Sequence, residues 1–553
     1  MSKYRGNPWA VLIVVSLGFF MTLLDLTIVN IAIPNMIDKL HASLDGILWV
    51  INAYALVLAV LLITAGRLGD LKGQRALFIV GVALFTAASA ACGFSPTVGW
   101  LIGFRAVQGV GAALLMPQTL ALLTMVFPPE RRGAAFGVWG AVAGVATIAG
   151  PTLGGLLVTA FDWRYIFFIN LPIGIAVILL GIFLIPDLRT GTQHKLDLTG
   201  VVLASLALLA ICYGLVEGQK YNWGTITSFI SIPLVIGLGI ALLIVFLIVQ
   251  AKTQDKEPLV PFALFRDRNF SLMNWMSGAL SIGLLGIFLP ITIYFQSALG
   301  YSALKAGLVM APSSVVSMFV APAAGRLTDK IGGKFILFTG LTLFAGGMGW
   351  LAAIAEPTSN WPIFVPALVI SGFGLGCTFA PLTTTAMQSV QPRLAGAASG
   401  MINTTRQVGS VIGAAAVGAL LENRLTATLP AAVRARDAVL PPTARAHLVA
   451  GFAKSAQSGA AVGTGSSGFK LPPGTPASLA DEIGRIAREA FSFGYVSAMH
   501  QAMIMPIAVV GLTALSALAI KRMPTRSHPA QAQPAPAASQ AGASQAEASQ
   551  APA

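Results

Sequence analysis

Charge is scarce in this chain. Asp, Glu, Lys and Arg make up 10% of its 553 residues, against roughly a quarter in soluble globular proteins. With 56% of residues hydrophobic, there is too little polar surface to cover a water-soluble fold, and the chain reads as a polytopic membrane protein. Cysteine is scarce too: Cys92, Cys212 and Cys377 all fall within apolar runs, which argues against a disulfide framework or a thiolate metal site. Five scattered His residues offer no ligand spacing, so no metal centre is expected. No Gly-x-x-x-x-Gly-Lys-Ser/Thr segment is present, which argues against ATP drive. No nucleophile–base pair points to an enzyme. Basic residues exceed acidic ones, 34 to 20, yet they lie mostly in short segments between apolar runs. That distribution argues against nucleic acid as a partner.

Apolar runs are what the chain has in abundance. Fourteen are read, at about 9–36, 46–66, 76–94, 99–126, 134–159, 164–186, 198–217, 228–250, 270–296, 304–324, 335–354, 362–390, 396–421 and 498–520. Each is near the roughly 20 residues that an apolar helix needs to span a bilayer. An even count puts both termini on one side. The segments on that side carry Arg67, Lys72, Arg75, Arg131, Arg132, Arg326, Lys330, Lys334 and Arg393, whereas short segments on the other carry little beyond Lys39, Lys220 and Lys305. By the positive-inside rule both termini are expected in the cytoplasm, and the chain in the inner (cytoplasmic) membrane.

An internal repeat organises the runs. Gly66-Arg67-Leu68-Gly69-Asp70-Leu71-Lys72-Gly73 recurs as Gly325-Arg326-Leu327-Thr328-Asp329-Lys330-Ile331-Gly332, each time in a loop after the second span of its half. The expected division is a six-helix bundle at 1–190, two inserted spans with a linker at 191–268, and a second six-helix bundle at 269–523. A tail at 524–553, rich in Ala, Gln, Pro and Ser, reads as disordered. Parallel halves around a midplane site are the architecture of many secondary transporters. One long outer loop, 425–497, contains Ile483, Ile486, Ala487, Ala490 and Phe491 on one helical face, against Asp481, Glu482, Arg485, Arg488 and Glu489. This amphipathic helix is expected on the outer membrane surface or packed on the outer mouth.

Asp25 is the residue that most demands a use. It lies mid-span, where a carboxylate costs several kcal/mol unless it is paired, hydrated or protonated. Arg105 is the matching anomaly, since a guanidinium stays charged and needs a partner or water. It either pairs with Asp25 or snorkels to the outer interface. In the repeated motif, Asp70 can face a helix N-terminus, or a basic residue such as Arg67 or Arg75. The motif reads as a latch on one side of a rocking protein, or as a topology signal alone. Gly66, Gly73 and Gly325 allow close approach, with Arg326 and Asp329 completing the second copy. Gly150, Pro151, Gly154 and Gly155 should bend span 5 and let it slide against its neighbours. Candidate cavity residues are Asn30, Trp49, Tyr54, Gln108 and Gln118 in the first half. In the second they are Tyr294, Gln296, Phe373, Phe379, Asn403 and Arg406.

The repeated motif, the Arg105 span and the Gly150-Pro151 span together resemble the signatures of the major facilitator superfamily. Four further segments look like its fourteen-helix drug:proton antiporter branch: the run from Leu24 to Pro34, Trp163 to Gly174, Asp197-Leu198-Thr199-Gly200, and Asn403 to Gly409. The resemblance covers about residues 8–520. It implies proton-coupled export of amphiphilic or cationic drugs by alternating access, with the proton as coupling ion and no other cofactor. Asp25 and Arg105 would then handle the proton, and Asp70 and Asp329 would belong to cytoplasmic gates. The alternative on the same fold is export of a lipid, or of one dedicated metabolite or antibiotic. Expected partners are a small amphiphilic substrate and the bilayer, with a periplasmic adaptor or lipid-binding protein conceivable at the outer loop. The chain is expected to work as a monomer.

Overall fold

In the computed structural model, residues 6–42, 44–187, 197–256, 258–435, 450 and 477–521 are described. The first-half helices are α1 (Pro8–Leu40), α2 (Leu44–Lys72), α3 (Gln74–Gly93), α4 (Val98–Val126) and α5 (Arg132–Ala160). They are followed by α6 (Tyr165–Phe168) and α7 (Asn170–Leu184), which together make one span. Then come α8 (Leu198–Glu217), a short hairpin of β1 (Thr225–Thr227) and β2 (Ile230–Ser231), α9 (Ile232–Lys252) and α10 (Ala263–Arg266). The second half holds α11 (Arg268–Ile293), α12 (Ala303–Ile331), α13 (Lys334–Ile354), α14 (Val365–Met387), α15 (Ala395–Arg434) and α16 (Ala477–Ala517). Thirteen stretches among the described residues are long and apolar enough to cross a membrane. The fourteenth expected span falls on α5, whose 29 residues also suffice in length.

The packing follows the internal repeat. α2 lies against α4 and α15, while α12, which carries the second copy of the motif, lies against α14 and α5. The two halves therefore meet along two equivalent seams, α2 with α15 and α12 with α5. The inserted pair α8 and α9 pack on each other, and α8 leans on α2 and α15 at one flank. Asp197 fixes the start of α8: its Oδ1 accepts from Gly200 N at 2.8 Å and its Oδ2 from Gln250 Nε2 of α9 at 2.6 Å.

Two expectations need correction. The repeated motif is not a loop: Gly66 to Lys72 and Gly325 to Ile331 are the last turns of α2 and α12. Only Gly73 (φ 96°) and Gly332 (φ 82°) leave the helix, in a backbone region that glycine tolerates best. Packing of these turns onto the opposite half holds them helical despite their glycines.

The outer segment is also shorter than 425–497. α15 runs on to Arg434, and α16 begins at Ala477. At 40 residues, α15 is about 60 Å long, twice the roughly 30 Å of bilayer hydrocarbon. The cause is a Leu/Val stripe: Leu421, Leu425, Leu429 and Val433 are each at most 1% exposed. They share a buried core with Ile483, Ile486, Ala487, Ala490 and Phe491. The amphipathic face is thus the start of the last span, packed on α15 rather than laid on a membrane. Residues 436–449 and 451–476 of the expected loop, and the tail at 524–553, lie outside the described residues.

Candidate functional site

Asp25 and Arg105 are both 0% exposed. They form a salt bridge from Arg105 Nη1 to Asp25 Oδ2, α4 to α1. Of the two readings of Arg105, pairing is the one observed. Gln108 Nε2 donates to Asp25 Oδ1 at 3.0 Å and Asn170 Nδ2 to the same oxygen at 3.3 Å. Arg105 also donates through Nε to Val50 O (3.0 Å) and through Nη1 to Gln108 Oε1 (2.8 Å). The Tyr54 ring lies 4.3 Å beneath the guanidinium carbon. Asn170 is held in turn by Ser89 Oγ at 3.1 Å. A buried ion pair repays its desolvation only with further hydrogen bonds of this kind. Tyr54 and Gln108, expected in the cavity, belong instead to this sealed cluster, each 0% exposed.

The second element is the pair of seams. Asp70, in the last turn of α2, accepts from the backbone N–H groups of Gly396 and Ala397, both at 2.8 Å, at the start of α15. Asp329, in the last turn of α12, accepts from Gly133 N (2.8 Å) and Ala134 N (3.1 Å) at the start of α5. A carboxylate is unfavourable at its own helix C-terminus. Here it caps the N-terminus of a helix in the other half, where the dipole and the orphan N–H groups favour it. The glycines permit the approach: a Cβ on Gly66 would collide with Gly396 O, and one on Gly325 with Gly133 O.

Of the two basic residues suggested for Asp70, Arg75 turns elsewhere. Arg75 donates to Ile182 O at 2.6 Å within its own half, not to Asp70. Arg67 is buried and Arg326 exposed. By sequence alone Arg132 is one of the charges that set topology. Its guanidinium in fact donates to Thr124 O (2.7 Å) and Phe127 O (3.2 Å) at the end of α4, and to Met387 O (3.0 Å) at the end of α14. It thereby ties the halves beside Asp329. A second repeat would have pointed there: Pro129 and Gly133-Ala134-Ala135-Phe136-Gly137 recur as Pro392 and Gly396-Ala397-Ala398-Ser399-Gly400.

The remaining predicted residues are scattered. Gly150 and Gly154 face Thr27 and Ile28 of α1, Gly155 faces open space, and α5 stays helical through Gly150-Pro151. The Pro151 side chain lies outside the described residues. Asn30 is exposed and bonds Leu26 O (3.2 Å), while Trp49 packs on Tyr213 of α8 (6.0 Å between centroids). Gln118 donates to Ala65 O (2.9 Å), Tyr294 to Glu356 O (2.6 Å) and Asn403 to Ser399 O (2.9 Å). Gln296 and Phe373 are exposed. Phe379 and Arg406 come together outside the charge cluster, with the guanidinium carbon 5.1 Å from the ring centroid.

Two half-bundles joined along paired seams, with one sealed acid–guanidinium pair in the first half, define a secondary-transporter architecture. The chain belongs to the major facilitator superfamily, whose model matches residues 15–414. An uncharacterized MFS-type transporter of Mycobacterium tuberculosis is 40% identical over 78% of this chain and 74% of its own length. The tetracenomycin C resistance and export protein of Streptomyces glaucescens is 35% identical over 78% and 79%. A crystal structure of the human organic anion transporter MFSD10 aligns with a TM-score of 0.56 at 11% identity, covering 91% of this chain and 99% of that one. That last likeness bears on the fold alone.

Proposed function

We propose that this protein is a proton-driven antiporter that exports small amphiphilic compounds by alternating access. The observation that carries the reading is the Asp25–Arg105 pair, sealed in the first half while Asp70 and Asp329 hold the halves together at one end. With the positive-inside rule placing that end in the cytoplasm, the described arrangement is the one closed to the inside. In this cycle Asp25 takes a proton from the outer side. Protonation removes its charge and weakens its hold on Arg105, Gln108 and Asn170. The rearranged first half pulls α2 and α5 from their seams, and the inner end opens. Substrate binding there favours release of the proton inward. The tetracenomycin C relative, an export protein at 35% identity, supports outward transport of an antibiotic-like compound. Dedicated export of one such metabolite is the second reading, and that relative's name favours it.

The test is transport in proteoliposomes with an imposed pH gradient, using ethidium and 1-pyrenebutyrate as probes. Concentrative transport of either that follows the gradient and is lost in Asp25→Asn supports the proposal. Gradient-independent transport, or coupling that survives Asp25→Asn, contradicts it.

A further inference from the structure

Among the described residues, three formal charges lie in the middle of the bundle, away from helix ends and from the α15–α16 extension: Asp25, Arg105 and Arg406. The first two neutralise each other and are sealed from solvent. Arg406 is different. Its guanidinium forms no ion pair or hydrogen bond among the described residues and meets the Phe379 ring; its backbone oxygen is engaged by Ser410 Oγ. It is also partly exposed, with no nitrogen closed off from solvent.

Its position is at the meeting of the halves. Ser399, Asn403 and Arg406 share one face of α15, at helical spacing. Ser399 Oγ on that face donates to Pro117 O of α4 in the first half, at 2.7 Å. Arg406 follows seven residues later, about 10 Å further along the axis. Phe379, on which it stacks, lies beside Gly140 of α5: a Cβ there would sit 3.7 Å from Phe379 Cβ. The ring covers one face of the guanidinium and leaves its N–H edge, with donors in a fixed fork, unused.

We infer that Arg406 recognises an acidic group, such as a carboxylate, sulfonate or phosphate, on the transported amphiphile. The argument rests on the export reading above. A guanidinium keeps its charge in an apolar setting and needs an acceptor or water, and of the possible acceptors the fork best suits two oxygens of one acid. A cationic cargo would meet an uncompensated positive charge here, while the carboxylate of the first half is already occupied by Arg105. The midplane thus favours acidic over purely cationic amphiphiles.

The test uses the purified full-length protein and two probes that differ only in charge, 1-pyrenebutyrate and 1-pyrenebutanamide. The wild type should bind the acid about tenfold or more tightly than the amide, as expected for a charge-assisted pair. Arg406→Gln should bring the acid to the level of the amide, and Arg406→Lys should retain part of the preference. Thermal unfolding of each variant near the wild-type temperature establishes that the fold is intact. Equal binding of acid and amide, a preference that survives Arg406→Gln, or binding of neither probe would overturn the inference. If gradient-driven ethidium transport persists in any of those cases, only the acidic specificity falls. If it is absent as well, the export reading falls with it.

Discussion

The two seams are built on one plan and reinforced differently. In both, an aspartate at the end of one helix caps the start of a helix across the molecule, and glycines let the backbones touch. At the α2–α15 seam, Asp70 gains a third donor, Gln74 Nε2 at 3.1 Å. At the α12–α5 seam, Asp329 has the two backbone donors of α5 and no third among the described residues, but Arg132 bridges α4 and α14 beside it. The residue equivalent to Arg132 in the second repeat is Ala395. A repeated sequence thus supplies the same clasp twice, and single residues outside the shared motif set how each one holds. The Asp70 clasp is backed by Gln74, the Asp329 clasp by the Arg132 guanidinium.

That comparison can be tested by removing its parts. The largest effect is expected away from both seams. Arg105→Ala leaves a buried carboxylate without its cation, at a cost of about 3–5 kcal/mol, read as a large fall in thermal unfolding temperature. The double variant Asp25→Asn/Arg105→Gln should recover most of that stability without recovering proton coupling. Next, Gly66→Ala and Gly325→Ala each force a methyl into backbone of the other half, at about 1–3 kcal/mol. Labelling of an engineered cysteine at the motif end should then speed up in both. Asp70→Asn and Asp329→Asn each weaken a cap, worth about 0.5–2 kcal/mol. The same labelling assay should rise more for Asp70→Asn, because Arg132 still spans the other seam. Adding Arg132→Ala to Asp329→Asn should remove that difference, and if the two single variants open alike, the proposed asymmetry is wrong. The smallest effect is expected at Arg485. It pairs with Glu482 and Glu489 on the exposed side of α16, where ion pairs contribute little. Arg485→Ala should leave unfolding temperature and transport unchanged.

Much of this was legible before the structure. A mid-span carboxylate and a mid-span guanidinium in the same half stand out in any apolar chain, because each is costly without a partner, and the two are indeed paired. The Asp70 and Asp329 repeat announced the two halves, and one of its suggested partners, a helix N-terminus, is the one found. Arg132 and the Gly-Ala-Ala repeat were equally present in the sequence, but that repeat is short and made of common residues. The α15–α16 extension is hidden by bilayer length: hydropathy falls after 421, although Leu421, Leu425, Leu429 and Val433 carry the helical period onward. Asn170 lay within a recognised motif, yet its reach to Asp25 needs the relative placement of α1 and α7. The same holds for the expected cavity set. Which side of a helix faces a seam, a neighbour in its own half or lipid is fixed by packing between distant segments, which no local pattern encodes.

The most direct test of the account is proton release from the purified, lipid-reconstituted protein on addition of 1-pyrenebutyrate or ethidium, for wild type and Asp25→Asn. The account predicts that at least one probe evokes release in the wild type and that the same probe evokes none in the variant. Binding without release in the wild type, or release of equal size in Asp25→Asn, would contradict it and place the coupling on another acid.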